Sequence, residues 1–308
     1  MNPGVLASIP LAFDPALALG DRAIRLETLG VAVAVLAGLL WVALIAGRTP
    51  AFEGWIGTPV HAGHERAPGV PLGAADDEPW HLRRDDLLFI VLGAVPGAVV
   101  MGRAFAGLVH LDYYQAFPQA ILDPALGSAS LSGAVVGGTL SGIYVAALLD
   151  APVGRWLHVA IRPALLVLAL VKAAAALGGS GQGGPTDVPW ATAYTGPGPW
   201  GSVDPATPAH PAQLYEAGTT LAVLLAVVLL ARFTGLRRAD GRLYAVGIAL
   251  WALARGFVAG TWRDAEVLGP LKAEQLVCLG IFGVLLATAG IATVRRWRLA
   301  RIHPILEE

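Results

Sequence analysis

Seven consecutive residues bring together an imidazole (His210), a carboxamide (Gln213), a phenol (Tyr215) and a carboxylate (Glu216), in the string His210-Pro211-Ala212-Gln213-Leu214-Tyr215-Glu216-Ala217. Of these, the imidazole ionises nearest neutral pH, so His210 is the candidate proton carrier, with Tyr215 or Glu216 to orient it. An apolar run through Ala231 follows at once. A helix starting near Gln213 would therefore enter lipid and hold these groups at the membrane–water boundary, where chemistry on a lipid headgroup has to occur. Taken singly, each group has a plainer reading: a loop histidine, a belt aromatic, a carboxylate favoured by the positive end of a helix. Their coincidence points to a site.

The elements that must position them are membrane helices. The chain is 56% hydrophobic and 14% charged, with mean hydropathy +0.63, against roughly 25% charged residues in soluble domains. Seven runs are long and apolar enough to span, at about 29–46, 87–109, 131–149, 157–178, 216–232, 242–259 and 275–293, since about 17–25 residues cross the hydrocarbon core. No run alternates as barrel strands do. The expected fold is an all-α integral membrane protein, one seven-helix membrane domain over 1–308 with a small external head. No internal repeat appears, which argues against an inverted-repeat transporter.

Charge placement orients the bundle. Arg48, Arg66, Arg83 and Arg84 follow the first span, Arg155 sits between the third and fourth, Arg232, Arg237, Arg238 and Arg242 join the fifth and sixth, and Arg295, Arg296, Arg298 and Arg301 follow the last. The opposite loops, about 110–130 and 179–215, contain neither Lys nor Arg. The positive-inside rule then places the N-terminus outside and the C-terminus in the cytoplasm. Segment 50–84 reads as a mobile cytoplasmic loop. Segment 179–212 reads as an external loop too long for a plain connection, hence a lid, a small head or a disordered insert. The first twenty residues lack a basic n-region and include Asp14, so no cleaved leader is expected. The one cysteine, Cys278, falls inside the last span and reads as a buried, inert thiol. The seven histidines are scattered rather than spaced as zinc ligands, so no metal site is expected. Nor is a nucleic-acid partner, although the net charge of −1 by itself says little about partners.

Arg103, Lys172 and Arg255 fall within spans. Each costs about 2.5–3.5 kcal/mol at the bilayer centre unless partnered. Few acids lie inside the spans to pair with them. An anionic ligand such as a phosphate would satisfy them; helix carbonyls or snorkelling to an interface is the plainer alternative. Arg255 is the strongest candidate, because Trp251 lies one turn earlier and Arg263-Asp264 follow closely.

With these residues in view, the chain resembles the prolipoprotein diacylglyceryl transferases over roughly 85–280. The His210–Ala217 string looks like the family's His-Pro-Ser/Thr-Gln-Leu-Tyr-Glu motif. Gly184-Pro185-Thr186-Asp187-Val188-Pro189-Trp190 is similar to the family stretch before that motif. Gly102-Arg103, with His110 and Asp112-Tyr113-Tyr114, looks like its second helix. Arg255, then Trp262-Arg263-Asp264 and Leu268-Gly269-Pro270-Leu271, resembles its penultimate helix and following loop. The family's central Gly-Arg-x-Gly-Asn/Cys-Phe motif falls on Val171–Ala176, so its phospholipid-gripping arginine becomes Lys172 and its Asn has no counterpart. The family's third-helix His or Tyr falls near Ser132, and its Glu one turn beyond the penultimate-helix arginine falls at Ala259.

The resemblance implies a multi-pass enzyme of the bacterial cytoplasmic (inner) membrane that moves a diacylglyceryl group from phosphatidylglycerol to the lipobox cysteine thiol of a secreted prolipoprotein, releasing glycerol phosphate. It implies no cofactor. Its expected partners are phosphatidylglycerol, the prolipoproteins and membrane lipid. Phosphate binding falls to Arg255 and Lys172, with Arg103 or Arg263 in support, and proton handling to His210 with Tyr215 or Glu216. His110, Gln213, Trp251, Arg263 and Asp264 are the further substrate-binding candidates. Alternatively, His210 and Tyr215 only shape the entry and the cations activate the thiol. A paralogue acting on another phospholipid or acceptor, and a non-catalytic phospholipid-binding protein, remain as other readings.

Overall fold

The computed structural model describes residues 8–50, 82–121, 123, 129–234, 236 and 240–302, with backbone alone at 292 and 295–302. Most of the expected 50–84 loop lies outside them. Among the described residues, seven helices are long and apolar enough to cross a membrane: α1 (Leu26–Ala46), α2 (Arg84–Val109), α4 (Leu131–Leu148), α5 (Val153–Gly178), α6 (Ala212–Phe233), α7 (Arg242–Ala259) and α8 (Ala273–Ile302, apolar to Ile291). A short α3 (Leu111–Ala116) and a 3-10 turn (Pro118–Ile121) follow α2. The chain is a mostly helical membrane protein. Lipid offers a peptide group no hydrogen-bond partner, so each spanning segment closes its own backbone bonds as a helix. Proline is tolerated inside α2 (Pro96) and α5 (Pro163).

Several helices begin before the apolar runs do. The α2, α5 and α6 helices start three to four residues ahead of the hydropathic span (84 against 87, 153 against 157, 212 against 216). Polar residues at the interface end a hydropathy run without ending a helix. This places Gln213 and Glu216 inside α6, with consequences for the site.

The residues fall into two compact units. One contains Leu39–Ala160 and Arg238–Arg242. Here α2 and α4 pack through small residues: a Cβ on Gly137 would collide with the Gly97 carbonyl oxygen and the Met101 side chain, and Ser141 Oγ donates to Gly137 O at 2.9 Å and Ala94 O at 3.3 Å. Close backbone approach of this kind holds membrane helices together by dispersion, since lipid gives no hydrophobic drive. A second cluster in this unit joins Val42, Ala46, Leu82, Ala146, Ala151, Trp156 and Val159. The N-cap Ser130 accepts from Gly133 N at 3.2 Å, starting α4.

The other unit contains Met1–Gly38, Ile161–Arg237 and Leu243–Glu308. Gly30 and Gly38 of α1 meet Ala174 and Val167 of α5, and Gly247 of α7 meets Ile161 of α5 and Val227 of α6. Three small sheets complete it. Strand β1 (Ile9–Leu11) pairs in parallel with β4 (Thr192–Tyr194), β2 (Ala16–Leu19) with β3 (Arg22–Arg25), and β5 (Glu266–Leu268) with β6 (Leu271–Lys272), the last two pairs antiparallel. Thus the 179–212 segment is a built head, not a bare loop. Thr192 and Ala209 exchange backbone bonds at 3.0 and 3.1 Å, and Gln182 Nε2 donates to Thr192 O at 2.9 Å.

Replacing Gly137 by Leu should overpack the α2–α4 contact and cost about 1–3 kcal/mol, read from unfolding in mixed detergent micelles. Gly283→Ala on α8, where a new methyl meets nothing within 4 Å, should be neutral or slightly stabilising in the same assay.

Candidate active site

The site is built where two helices end and two begin. Lys172 lies less than two turns before the end of α5, and Arg255 one turn before the end of α7. Glu216 lies in the second turn of α6 and Glu274 in the first turn of α8. Cations near helix C-termini and anions near N-termini are each favoured by the backbone dipoles. The four side chains converge. Lys172 Nζ lies 3.0 Å from Glu216 Oε1, while an Arg255 terminal nitrogen donates to Glu216 Oε2. Arg255 Nε also donates to Glu274 Oε1 at 2.8 Å. The Arg255, Glu216 and Glu274 side chains are each only 4% exposed.

This corrects the expectation that the span cations lack acids. The carboxylates come from the second turn of α6 and the first turn of α8, at the edge of or just outside the hydropathic runs, so the sequence pattern did not count them as intramembrane partners. It also corrects the pairing of Glu216 with His210, since Glu216 turns instead to Lys172 and Arg255. Two positive and two negative groups make a neutral cluster, which lowers the cost of burying each.

Tryptophans close over it. The Trp262 ring centroid is 4.8 Å from Arg255 Cζ and 5.8 Å from Lys172 Nζ, and Trp251 stands 5.8 Å from Arg255 Cζ, all within cation–π range. Trp262 is held by its own carbonyl, which accepts from Lys272 Nζ, and Lys272 also donates to Gly260 O at 3.0 Å. Lys272 thereby has a structural role. So does Arg263, whose Nε donates to Gly183 O at 2.7 Å and whose terminal nitrogen reaches Asp204 O at 3.3 Å and Gln182 Oε1 at 3.4 Å. Gly183 sits between Thr261 and His210 with no room for a Cβ, and its N–H donates to His210 O at 2.8 Å. The glycine-rich turn is therefore a tight clamp on the His210 backbone.

His210 is half-buried, and its Nδ1 lies 3.4 Å from Tyr215 Oη, which accepts from Trp190 Nε1 at 2.6 Å. Gln213 is buried, and its Nε2 donates to Tyr194 Oη at 2.7 Å. The Tyr194 hydroxyl in turn donates to Ala176 O at 2.9 Å. Burial pushes the Tyr194 phenol up to about 12, against the Gln213 donor and with help from the Glu27 carboxylate. The sign follows: its contribution to stability is complete below pH 10 and is lost as pH rises toward about 12. Asp264 is half-buried in the α7–α8 connection.

Arg103 and His110 belong to the other unit. Arg103 donates to the carbonyls of Ala120 and Asp123, the first at 3.3 Å, which bridges α2 to the turn beyond α3. His110 is exposed at the α2–α3 junction. Sequence reasoning missed Glu274 and did not assign Trp262, Trp190 or Tyr194 to the site. A carboxylate at the first turn of a helix, on the same side of the bundle as Lys172, was the available signal for Glu274. Arg162 on α5 was also missed; its Nε is buried without a partner among the described residues.

A multi-helix membrane protein with paired cations, carboxylates and an imidazole at helix ends defines the class. The model of the prolipoprotein diacylglyceryl transferase family matches residues 71–292, and the chain belongs to that family. Relatives named phosphatidylglycerol–prolipoprotein diacylglyceryl transferase include that of Clostridioides difficile (strain 630), 24% identical over 67% of this chain and 78% of the relative. Those of Trichormus variabilis and Geobacter sulfurreducens are 28% and 27% identical, over 73% and 70% of this chain and 77% and 81% of their own lengths.

Glu216→Ala should cost about 3–5 kcal/mol, because it strands Lys172 and half of the Arg255 pairing in a buried site. Adding Lys172→Met to that variant should recover part of the loss, a coupling read from a double-mutant unfolding cycle.

Proposed function

We propose that the protein transfers the diacylglyceryl group of phosphatidylglycerol to the lipobox cysteine thiol of a secreted prolipoprotein, forming a thioether and releasing glycerol phosphate. The observation that carries this reading is the meeting of Lys172 and Arg255 at one carboxylate, beside the His210 string. Family membership and the relatives' names support the donor and acceptor. The arginine distribution supports an external N-terminus, a cytoplasmic C-terminus and an external 179–212 head, in the bacterial cytoplasmic (inner) membrane.

The sulfur–carbon bond forms at the glycerol carbon bearing the phosphate ester as its carbon–oxygen bond breaks. The bonding pair leaves with the phosphate oxygen, so the phosphate gains negative charge as the reaction proceeds. Lys172 and Arg255 turn from their shared partner Glu216 to hold that phosphate. Their attraction grows as the charge grows, which is the differential binding that lowers a barrier. His210 accepts the thiol proton at Nε2, with Nδ1–H directed to the Tyr215 oxygen. The nucleophile arrives on the partner, so Cys278, 1% exposed, has no part in the step. Gln213, Trp251 and Trp262 line the bound headgroup. Arg263 acts on the backbone of the head and Arg103 on that of the turn beyond α3, rather than on the phosphate.

Purified protein, labelled phosphatidylglycerol and a lipobox peptide should give a thioether product. Lys172→Ala should lower kcat by roughly 100-fold or more, whereas Lys172→Arg should keep or raise it. Complementation of a strain depleted of its own transferase should require Arg255 and His210. Correctly inserted protein that neither complements nor forms thioether would sink the reading.

A further inference from the structure

One buried polar atom beside the cation pair is left over by every contact described so far. Gln213 is 1% exposed, and its Oε1 has no hydrogen-bond partner among the described residues. An amide is ordinarily free to turn over and exchange its oxygen for its nitrogen. Here it is not. The Ala176 carbonyl is an acceptor only, so the Tyr194 hydroxyl must spend its single proton there. The Tyr194 oxygen can then only accept, and what it accepts must be a Gln213 N–H. The oxygen of the amide is thereby fixed as an unused acceptor.

Its position follows from the same bonds. Lys172 and Ala176 are one turn apart on α5, and Glu216 and Gln213 one turn apart on α6. Lys172 meets Glu216 on one rung, and Ala176 meets Gln213 through Tyr194 on the next. Gln213 therefore stands about one helical turn, roughly 5.4 Å along the axis, beyond Lys172 and Glu216 on the side of the head. A three-carbon headgroup attached to a phosphate held at Lys172 and Arg255 has that reach. Buried acceptors without a donor are rare and call for an occupant.

Building on the transfer reading, we propose that Gln213 Oε1 accepts a hydrogen bond from a glycerol hydroxyl of the bound phospholipid and so selects that headgroup, with Tyr194 as the positioning residue that aims the amide. A choline headgroup has no N–H or O–H to offer. An ethanolamine ammonium is a donor, but it would stand beside Lys172 and Arg255.

The test compares labelled phosphatidylglycerol with phosphatidylpropanol, which lacks both headgroup hydroxyls, as diacylglyceryl donors to a lipobox peptide. The full-length protein is used in mixed micelles. Wild type should favour phosphatidylglycerol in kcat/KM by roughly tenfold or more, as sites built around a hydroxyl do. In Gln213→Leu the preference should fall to within about threefold of unity, as turnover of phosphatidylglycerol drops toward that of the deoxy lipid. Tyr194→Phe, which lets the amide turn over, should give an intermediate ratio. A wild-type ratio near one overturns the inference whether or not the Gln213 variant folds. So does a ratio that Gln213→Leu leaves intact. No transfer from either lipid by wild type overturns the transfer reading, and this inference with it.

Discussion

Glu216 is the constraint on which the rest of the site depends. One carboxylate receives Lys172 from α5 on one oxygen and Arg255 from α7 on the other, while Arg255 turns its remaining edge to Glu274 of α8. Four helices are thereby tied at one level of the bundle by groups that none could bury alone. Without the cluster, lipid-level charges would each carry an insertion penalty of about 2.5–3.5 kcal/mol. With it, the same charges fix the relative height of α5, α6, α7 and α8. The Trp262 ring then covers a predetermined spot.

Lys172 is fitted to its place by this arrangement. An ammonium is a compact point charge that needs no fixed plane, and here it meets one carboxylate oxygen and the face of Trp262. Arg255 performs the task that needs a fork, bonding two different carboxylates through different nitrogens. The departure from the family's arginine thus falls at the position where geometry asks least of the cation.

The bundle was legible from hydropathy because seven apolar stretches have no other stable form in lipid. The string at 210–217 was legible as a candidate site because its groups are chemically complementary and stand where a span begins. What escaped was set by polar residues at the boundary. Glu216 is the first residue of its apolar run and Glu274 lies just before its own, so hydropathy gave no sign that either carboxylate stands beside the span cations. The strands β1 and β4 are three residues each, too short to leave a periodic signal. The glycine-rich turn reads as slack by composition. Only the Arg263 and His210 contacts reveal that Gly183 is needed for close approach. The backbone carbonyls that Arg103 and Arg263 bond to leave no trace in sequence.

The order of the charges along the chain bears on how the protein reaches the membrane. Lys172 emerges first, and its counterion Glu216 arrives on the very next spanning segment, so those two helices can enter lipid as a hairpin with charge already cancelled. Arg255 then joins a carboxylate that is waiting for it, and Glu274 follows one segment later. Of these four groups, at most one stands uncompensated at each addition, an order of delivery that suits release of the helices in pairs.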